Sequence, residues 1–285
     1  MLGVLMNAEK YTEPSEEFQL LGFLWNLRTK IVKLLDSKQA KYLELLLEVT
    51  VENYAWTLEV VEHMLGFLAW ICYVEPLGRF KMQAIYAWQG LFGDNHNIKK
   101  PVQGAQDGRL GIELTFWIDL LSGDKPIQKT IQVNPYPLST TFIASDSSNT
   151  HISVLVGNHW EQFALHEGWK GGKCGWNINF PEAVGVKFAV RMFFDLHPEV
   201  TGVILTAFCD NTVVCDAWMA QRSRSPAINV MLLRIEELLV RNGCDLDITW
   251  INSEANAAAD KISRNEIPDG APRWRQSGAK VLPSE

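Results

Sequence analysis

TTFIASDSSNTHISVLVGNHWEQFALH, residues 140–166, is the stretch on which the fold turns. Its apolar residues fall in three short runs, Phe142 to Ser145, Ile152 to Val156 and Glu161 to His166, separated by polar turns. Alternation of that length with turn residues between is the pattern of an antiparallel meander. Downstream the texture changes to helix and strand in turn. Pro181 to Phe194 reads as a helix opened by a proline, which is tolerated in the first turn because its missing amide hydrogen would have had no partner there. A buried strand follows at Val203 to Cys209, then helices at Asn211 to Ala220 and Pro226 to Arg241. A strand at Asp247 to Ile251 and a final helix at Glu254 to Arg264 complete the series. Three strands followed by such alternation imply an α/β (α+β) sheet domain over residues 138–265. The Pro, Gly, Arg and Ser content of 266–285 reads as a loose tail.

Upstream, residues 18–35 alternate around Asn26 to Lys30 and read as a short β-hairpin. Asp36 or Ser37 is placed to cap a helix carrying Tyr42, Leu45, Leu46 and Val49. Thr57 to Tyr73 and Arg79 to Leu91 read as two further helices, parted by Pro76 and Gly78. After a loop at Gly93 to Gly108, residues 111–122 form another helix, and Ser122 to Pro137 is irregular, so the domain boundary falls there.

Bulk properties narrow the function classes. With 285 residues, 47% of them hydrophobic, the chain can bury a large core and is long enough for two domains. Its five cysteines show none of the Cys-x-x-Cys spacing of zinc or redox sites, which points to a reducing cytoplasmic or nuclear setting. The longest apolar run, Met64 to Val74, is too short to span a bilayer, so a soluble intracellular protein with no membrane partner is expected. The formal charge of −7 argues against a protein that coats nucleic acid, unless part of that acidity serves a metal site.

Four acids stand at element ends or on helices: Asp146 after the first strand, Glu182 at the start of a helix, Asp210 after the fourth strand, and Asp260 inside the last helix. Each has an ordinary reading. Asp146 in Ser-Asp-Ser-Ser suits a turn, Glu182 suits the positive end of a helix dipole, Asp210 suits an N-cap, and Asp260 suits a solvated helix face. Taken together they have another. If the first and fourth strands are neighbours, Asp146 and Asp210 sit side by side, and Glu182 and Asp260 approach from flanking helices. Two hard divalent ions about 4 Å apart need such a set of carboxylates from separate elements.

The residues around each acid resemble the ribonuclease H domains attached to retroelement reverse transcriptases. Phe142-Ile-Ala-Ser-Asp146-Ser-Ser is similar to the family's first strand and its turn. Ile178-Asn-Phe-Pro-Glu182, with Val186 and Ala189, is similar to its Ile-Asn-x-x-Glu helix start. Cys209-Asp210-Asn211-Thr212 with Arg224-Ser225-Pro226 and Asn229 resembles the Asp-Asn-Thr and Arg-Ser-Pro segments of DIRS-like and related retrotransposons. Asn256-Ala-Ala-Ala259-Asp260-Lys-Ile-Ser263-Arg264 matches Asn-x-x-Ala-Asp-x-x-Ser-Arg at every fixed position. Upstream, Leu20-Leu-Gly22-Phe23 resembles the end of a reverse transcriptase palm, over residues 1–35. Leu65-Gly66-Phe67, Pro76-x-Gly78-Arg79-Phe80 and Ile85-Tyr86 resemble the thumb and connection helices, over residues 36–125.

The resemblance implies a mixed five-stranded ribonuclease H-like sheet flanked by helices. It also implies an endonuclease that hydrolyses the RNA strand of an RNA/DNA hybrid with two Mg²⁺ (or Mn²⁺) ions. Asp146, Glu182, Asp210 and Asp260 would be the metal-binding catalytic set. Ser147, Asn211, Arg222 and Arg224, with Lys187 and Arg191, would meet nucleic acid, although Asn211 equally suits a helix cap and the basic residues equally suit a solvated face. An upstream palm domain is implied as a partner, with Trp25, Trp56, Trp70 and Trp88 as interface candidates.

There are departures. No Asp-Asp pair is present, so the resemblance does not extend to polymerisation by this polypeptide. His151 and Ser153 replace the family's glycines, Trp250 stands where many relatives have histidine, and no histidine follows His197. The competing reading is a domesticated retroelement remnant that keeps the fold as a nucleic-acid or protein binding module.

Overall fold

The computed structural model describes residues 15–274 except 52–53, 94–96, 102–107, 133, 171–175 and 268. The chain divides between Pro135 and Tyr136 into two compact units. No helix among the described residues is long and apolar enough to cross a membrane.

In the first unit, strands β1 (Glu17–Leu20), β2 (Phe23–Asn26) and β3 (Ile31–Leu34) form an antiparallel meander, so the expected hairpin is three strands. The extra turn is Leu21-Gly22, both at positive φ, a two-residue connection that strand twist favours but that a leucine does not announce. Gly22 is also needed for space, since a Cβ there would come within 2.7 Å of the Trp70 ring. Helix α1 (Asp36–Val49) starts without the expected side-chain cap: its N-cap is Leu35, and Asp36 pairs with Lys33 at 2.7 Å. Strand β4 (Ala55–Trp56) leads into helix α2 (Leu58–Ile71), which Thr57 caps through Val60 N–H.

The single helix expected over Arg79 to Leu91 is a 3₁₀ turn, Pro76–Lys81, followed by α3 (Gln83–Gly90). The break has a cause outside the segment. Gly78 lies against Trp117, where a Cβ would sit 2.4 Å from the ring, and Glu113 Oε2 accepts the Ala84 and Ile85 N–H groups at 2.7 and 3.3 Å. Strand β5 (Lys100–Pro101) pairs with β4, and Glu113 and Trp117 belong to α4 (Arg109–Ser122). The segment read as irregular holds β6 (Gln128–Thr130), which adds to β3 and completes a four-stranded sheet. Trp56, one of the interface candidates, is fully buried, with its indole N–H donating to Val49 O. Trp25, Trp70 and Trp88 are half-buried and pack against the same core.

In the second unit, β7 (Ile143–Ser147), β8 (His151–Val156) and β9 (His159–Ala164) form the antiparallel meander. Helix α5 (Asn179–Leu196) begins two residues before Pro181, which is still within the first turn, where amides have no intrahelical partner. Strand β10 (Ile204–Cys209) runs parallel to β7, and α6 (Thr212–Met219) and α7 (Pro226–Asn242) follow it. Gly243 ends α7 at φ 62°, and β11 (Asp245–Trp250) returns parallel to β10 before α8 (Ala257–Ser263). The sheet order is β11-β10-β7-β8-β9. Helices α5 and α8 both pack on β7 and β8, and Gly185 lets α5 approach closely, its Cα lacking a Cβ that would stand 3.2 Å from Ile152 and Ser145.

The expected loose tail is not loose through Trp274. Trp160 N–H donates to Pro272 O, Trp274 N–H donates to Trp160 O, and Arg273 bonds the fully buried Glu161 at 2.7 Å. The segment thus covers the free edge of β9, and a buried carboxylate supplies the charge that draws an arginine there.

Candidate active site

Parallel pairing sets Ile143 opposite Ala207 and Ala144 opposite Phe208, so the chain two residues further on brings Asp146 and Asp210 to one end of the sheet. Asp146 is the penultimate residue of β7, and Asp210 is the first after β10. Glu182 lies in the first turn of α5, and Asp260 is in α8, which packs on β7.

Glu182 is buried among like charges. Its Oε1 accepts the Ser147 N–H at 3.2 Å, and its Oε2 is buried without a hydrogen-bond partner. Burial, then Asp146 and Asp210, push its pKa up to about 9, against the pull of the Ser147 amide. Asp146 is raised too, first by burial; a hydrogen bond to the Ser263 side chain opposes this, and Asp210 and Asp260 add to it. Asp146 therefore feels Glu182, Asp210 and Asp260, and Glu182 feels Asp146 and Asp210. Arg264 is the basic group whose charge reaches Asp146, and it holds Asp260 Oδ1 at 2.7 Å through Nη2.

Two contacts orient Asp210. Ser253 Oγ donates to Oδ2 at 2.9 Å, and the Trp250 indole N–H donates to the main-chain oxygen at 3.1 Å. Trp250 thus supports Asp210 through the backbone. Ser153 is fully buried, and its hydroxyl donates to Ala259 O at 2.7 Å, joining β8 to α8. Asn256 Nδ2 donates to Ser145 O at 3.0 Å and ties α8 to β7. The partners of these side chains lie from 40 to 111 residues away in the chain, so spacing alone did not reveal their work.

The other anticipated nucleic-acid contacts are distributed differently. Ser147 is buried beside Glu182. Asn211 caps α6, its amide oxygen accepting Val214 N–H at 3.1 Å, while its amide nitrogen donates to Asn179 at 2.9 Å. Arg222 and Arg224 are exposed in the turn between α6 and α7. Arg191 pairs with Asp195 at 2.8 Å on the same helix, and Lys187 stands over the Phe188 ring.

One residue not anticipated joins the acids. The Cys209 sulfur and the nearest carboxylate oxygens of Glu182 and Asp210 all lie within 4.8 Å of one another. Contact with Cys215, then burial, keeps Cys209 a protonated thiol. A neutral thiol is a poor ligand for a hard ion, whereas the orphaned Glu182 oxygen beside two further carboxylates is the donor set that a hard divalent cation takes.

No protein-family model matches the chain, and no curated protein matches it. Among solved structures it is similar to the ribonuclease H1 of the halophilic archaeon Halobacterium salinarum NRC-1, with 14% identity, a TM-score of 0.35, and coverage of 44% of this chain and 94% of that one. It is also similar to the foamy viral protease-reverse transcriptase solved with an RNA/DNA hybrid, with 10% identity and a TM-score of 0.29 over 88% of this chain. A form of the same viral protein solved with double-stranded DNA matches at 10% identity and a TM-score of 0.29 over 83% of this chain. The chain spans about half the length of those viral proteins, 52% and 45%. Its own strand order and directions, three antiparallel strands followed by two parallel ones on the far side of the first, give the second unit a ribonuclease H-like fold.

Proposed function

We propose that the second unit is a two-metal endonuclease that hydrolyses the RNA strand of RNA/DNA hybrids, as the ribonuclease H part of a retroelement reverse transcriptase of DIRS-like or related type. The observation that carries the reading is Glu182: a carboxylate 4% exposed, with one oxygen unpartnered, beside Asp146 and Asp210. Carboxyls buried together either hold on to a proton or cost stability unless something positive joins them. Bound Mg²⁺ or Mn²⁺ would supply that charge, a water made acidic enough to attack the phosphodiester, and stabilisation of the leaving oxygen.

On this reading Asp146 and Asp210 would ligate the ions, Glu182 would help to hold the second and Asp260 would complete the set around the first. Ser253 and Trp250 keep Asp210 oriented, and Arg264 fixes one oxygen of Asp260. Residues 1–35 and 36–125 correspond in this proposal to the end of a palm and to thumb or connection helices. A palm domain carried elsewhere would then be their partner.

The test is cleavage of an end-labelled RNA/DNA hybrid in Mg²⁺ by the wild type and by Asp210→Asn. Loss of outer-sphere partners alone costs 10–100-fold in comparable sites, so losing a ligand is expected to cost at least about 100-fold, with an unchanged circular dichroism spectrum. Equal cleavage by both proteins, or none by either, overturns the assignment.

A further inference from the structure

We propose that Glu182, Cys209 and Asp210 form a binding site for a thiophilic divalent cation, Zn²⁺, which competes with the hard-ion chemistry of the same pocket. The binding stands on its own geometry; the competition rests on the nuclease reading above.

Three features converge. The ligand atoms of the three residues already lie within 4.8 Å of one another. Around a tetrahedral zinc with bonds of about 2.0–2.3 Å, ligand atoms stand roughly 3.5 Å apart, so closure needs side-chain shifts of about an ångström. Next, Glu182 is half committed: Oε1 is fixed by the Ser147 amide, and Oε2 is buried and unpartnered. Finally, the sulfur is held in place. Cys209 is fully buried at the end of β10, its main-chain oxygen accepts Ile251 N–H at 3.1 Å, and its Sγ lies 3.5 Å from Asn211 N–H.

Ligand softness gives the selectivity. Mg²⁺ takes oxygen and leaves a thiol protonated, whereas Zn²⁺ takes thiolate, carboxylate and imidazole alike. On binding, the Cys209 S–H bond breaks, its proton passes to water, and the S–Zn bond forms with no change of oxidation state. Three protein ligands leave the fourth position to solvent, as in an open site. A zinc ion so placed withdraws Glu182 and Asp210 from the two-ion arrangement.

The experiment uses the full chain and Co²⁺ as a coloured stand-in for zinc. Wild type and Cys215→Ser are expected to give a thiolate-to-cobalt charge-transfer band that Zn²⁺ displaces. Cys209→Ser is expected to lose the band, and Glu182→Gln and Asp210→Asn to weaken cobalt binding at least about tenfold. Retention of the band in Cys209→Ser, or its loss in Cys215→Ser, overturns the site. X-ray absorption on wild type loaded with one equivalent of Zn²⁺ requires no variant: one sulfur and otherwise light ligands are expected, and no sulfur or more than one overturns it. These spectra need no nucleic acid, so the zinc site stands or falls whether or not the hybrid is cleaved. In the cleavage assay, Zn²⁺ is expected to inhibit the wild type at concentrations at least tenfold below those that inhibit Cys209→Ser, and equal sensitivity overturns the competition.

Discussion

The Ser147 amide donates to Glu182 Oε1 at 3.2 Å, tying the end of β7 to the first turn of α5, while Glu182 Oε2 has no partner. One carboxylate therefore joins a strand to a helix and keeps an oxygen in reserve. Because its pKa rises from 4.5 to about 9, the folded chain keeps a proton that the unfolded chain loses.

Stability without divalent metal is accordingly expected to fall as pH rises from about 4.5 through about 9. Between those values the unfolded state binds fewer protons, so the slope is negative, approaching about 1.4 kcal/mol per pH unit from this group alone. Asp146, also raised, acts in the same direction. Urea unfolding in chelator across the window checks this. Glu182→Gln is expected to flatten the slope and to stabilise the metal-free protein at the alkaline end.

Ser253→Ala removes the hydroxyl on Asp210 Oδ2. Hybrid cleavage is expected to fall by about tenfold, since outer partners orient ligands. Both groups are surface-accessible, so the melting free energy should stay within about 0.5 kcal/mol. Steady-state kinetics beside a denaturation curve separates orientation from stability.

Arg273→Ala takes the guanidinium from Glu161, whose side chain is wholly buried. Breaking one side of such a pair costs on the order of 3 kcal/mol, and adding Glu161→Gln is expected to recover part of it. A double-mutant cycle by urea unfolding measures the coupling, and near-additive costs would show that the tail is not held by this pair.

Glu113→Ala leaves the Ala84 and Ile85 amides without their shared acceptor. The first unit is expected to lose about 2 kcal/mol, in the range of a missing helix cap plus a buried unpaired donor. Thermal unfolding of the full chain, with amide exchange read at Ala84 and Ile85, checks both the size and the location.

What was legible in residue order was whatever depends on near neighbours. Alternation over 142–166 marks the meander because side chains in a strand alternate faces, and the later helices show their 3.6-residue period, with Pro226 and Gly243 at the ends of α7. That alternation marks three strands, whereas the mixed five-stranded sheet was expected from the resemblance of the motifs. Where a boundary is set by a partner distant in the chain, the local signal is silent. Leu21 and Gly22 turn the chain at positive φ where Gly22 lies against Trp70, and α3 starts where a carboxylate 28 residues away offers an acceptor to Ile85.

The acids divide along the same line. Their residue types and the motifs around them are written in the chain, but the meeting of Asp146 with Asp210 depends on parallel pairing of β7 with β10, across two intervening strands and a helix. Only tertiary packing shows that Ser153 bonds Ala259, that Trp250 supports Asp210, and that Cys209 turns its sulfur toward Glu182. Local preference acts over a turn or two of backbone, whereas these contacts are selected by the free energy of closing loops of up to about a hundred residues around a shared core.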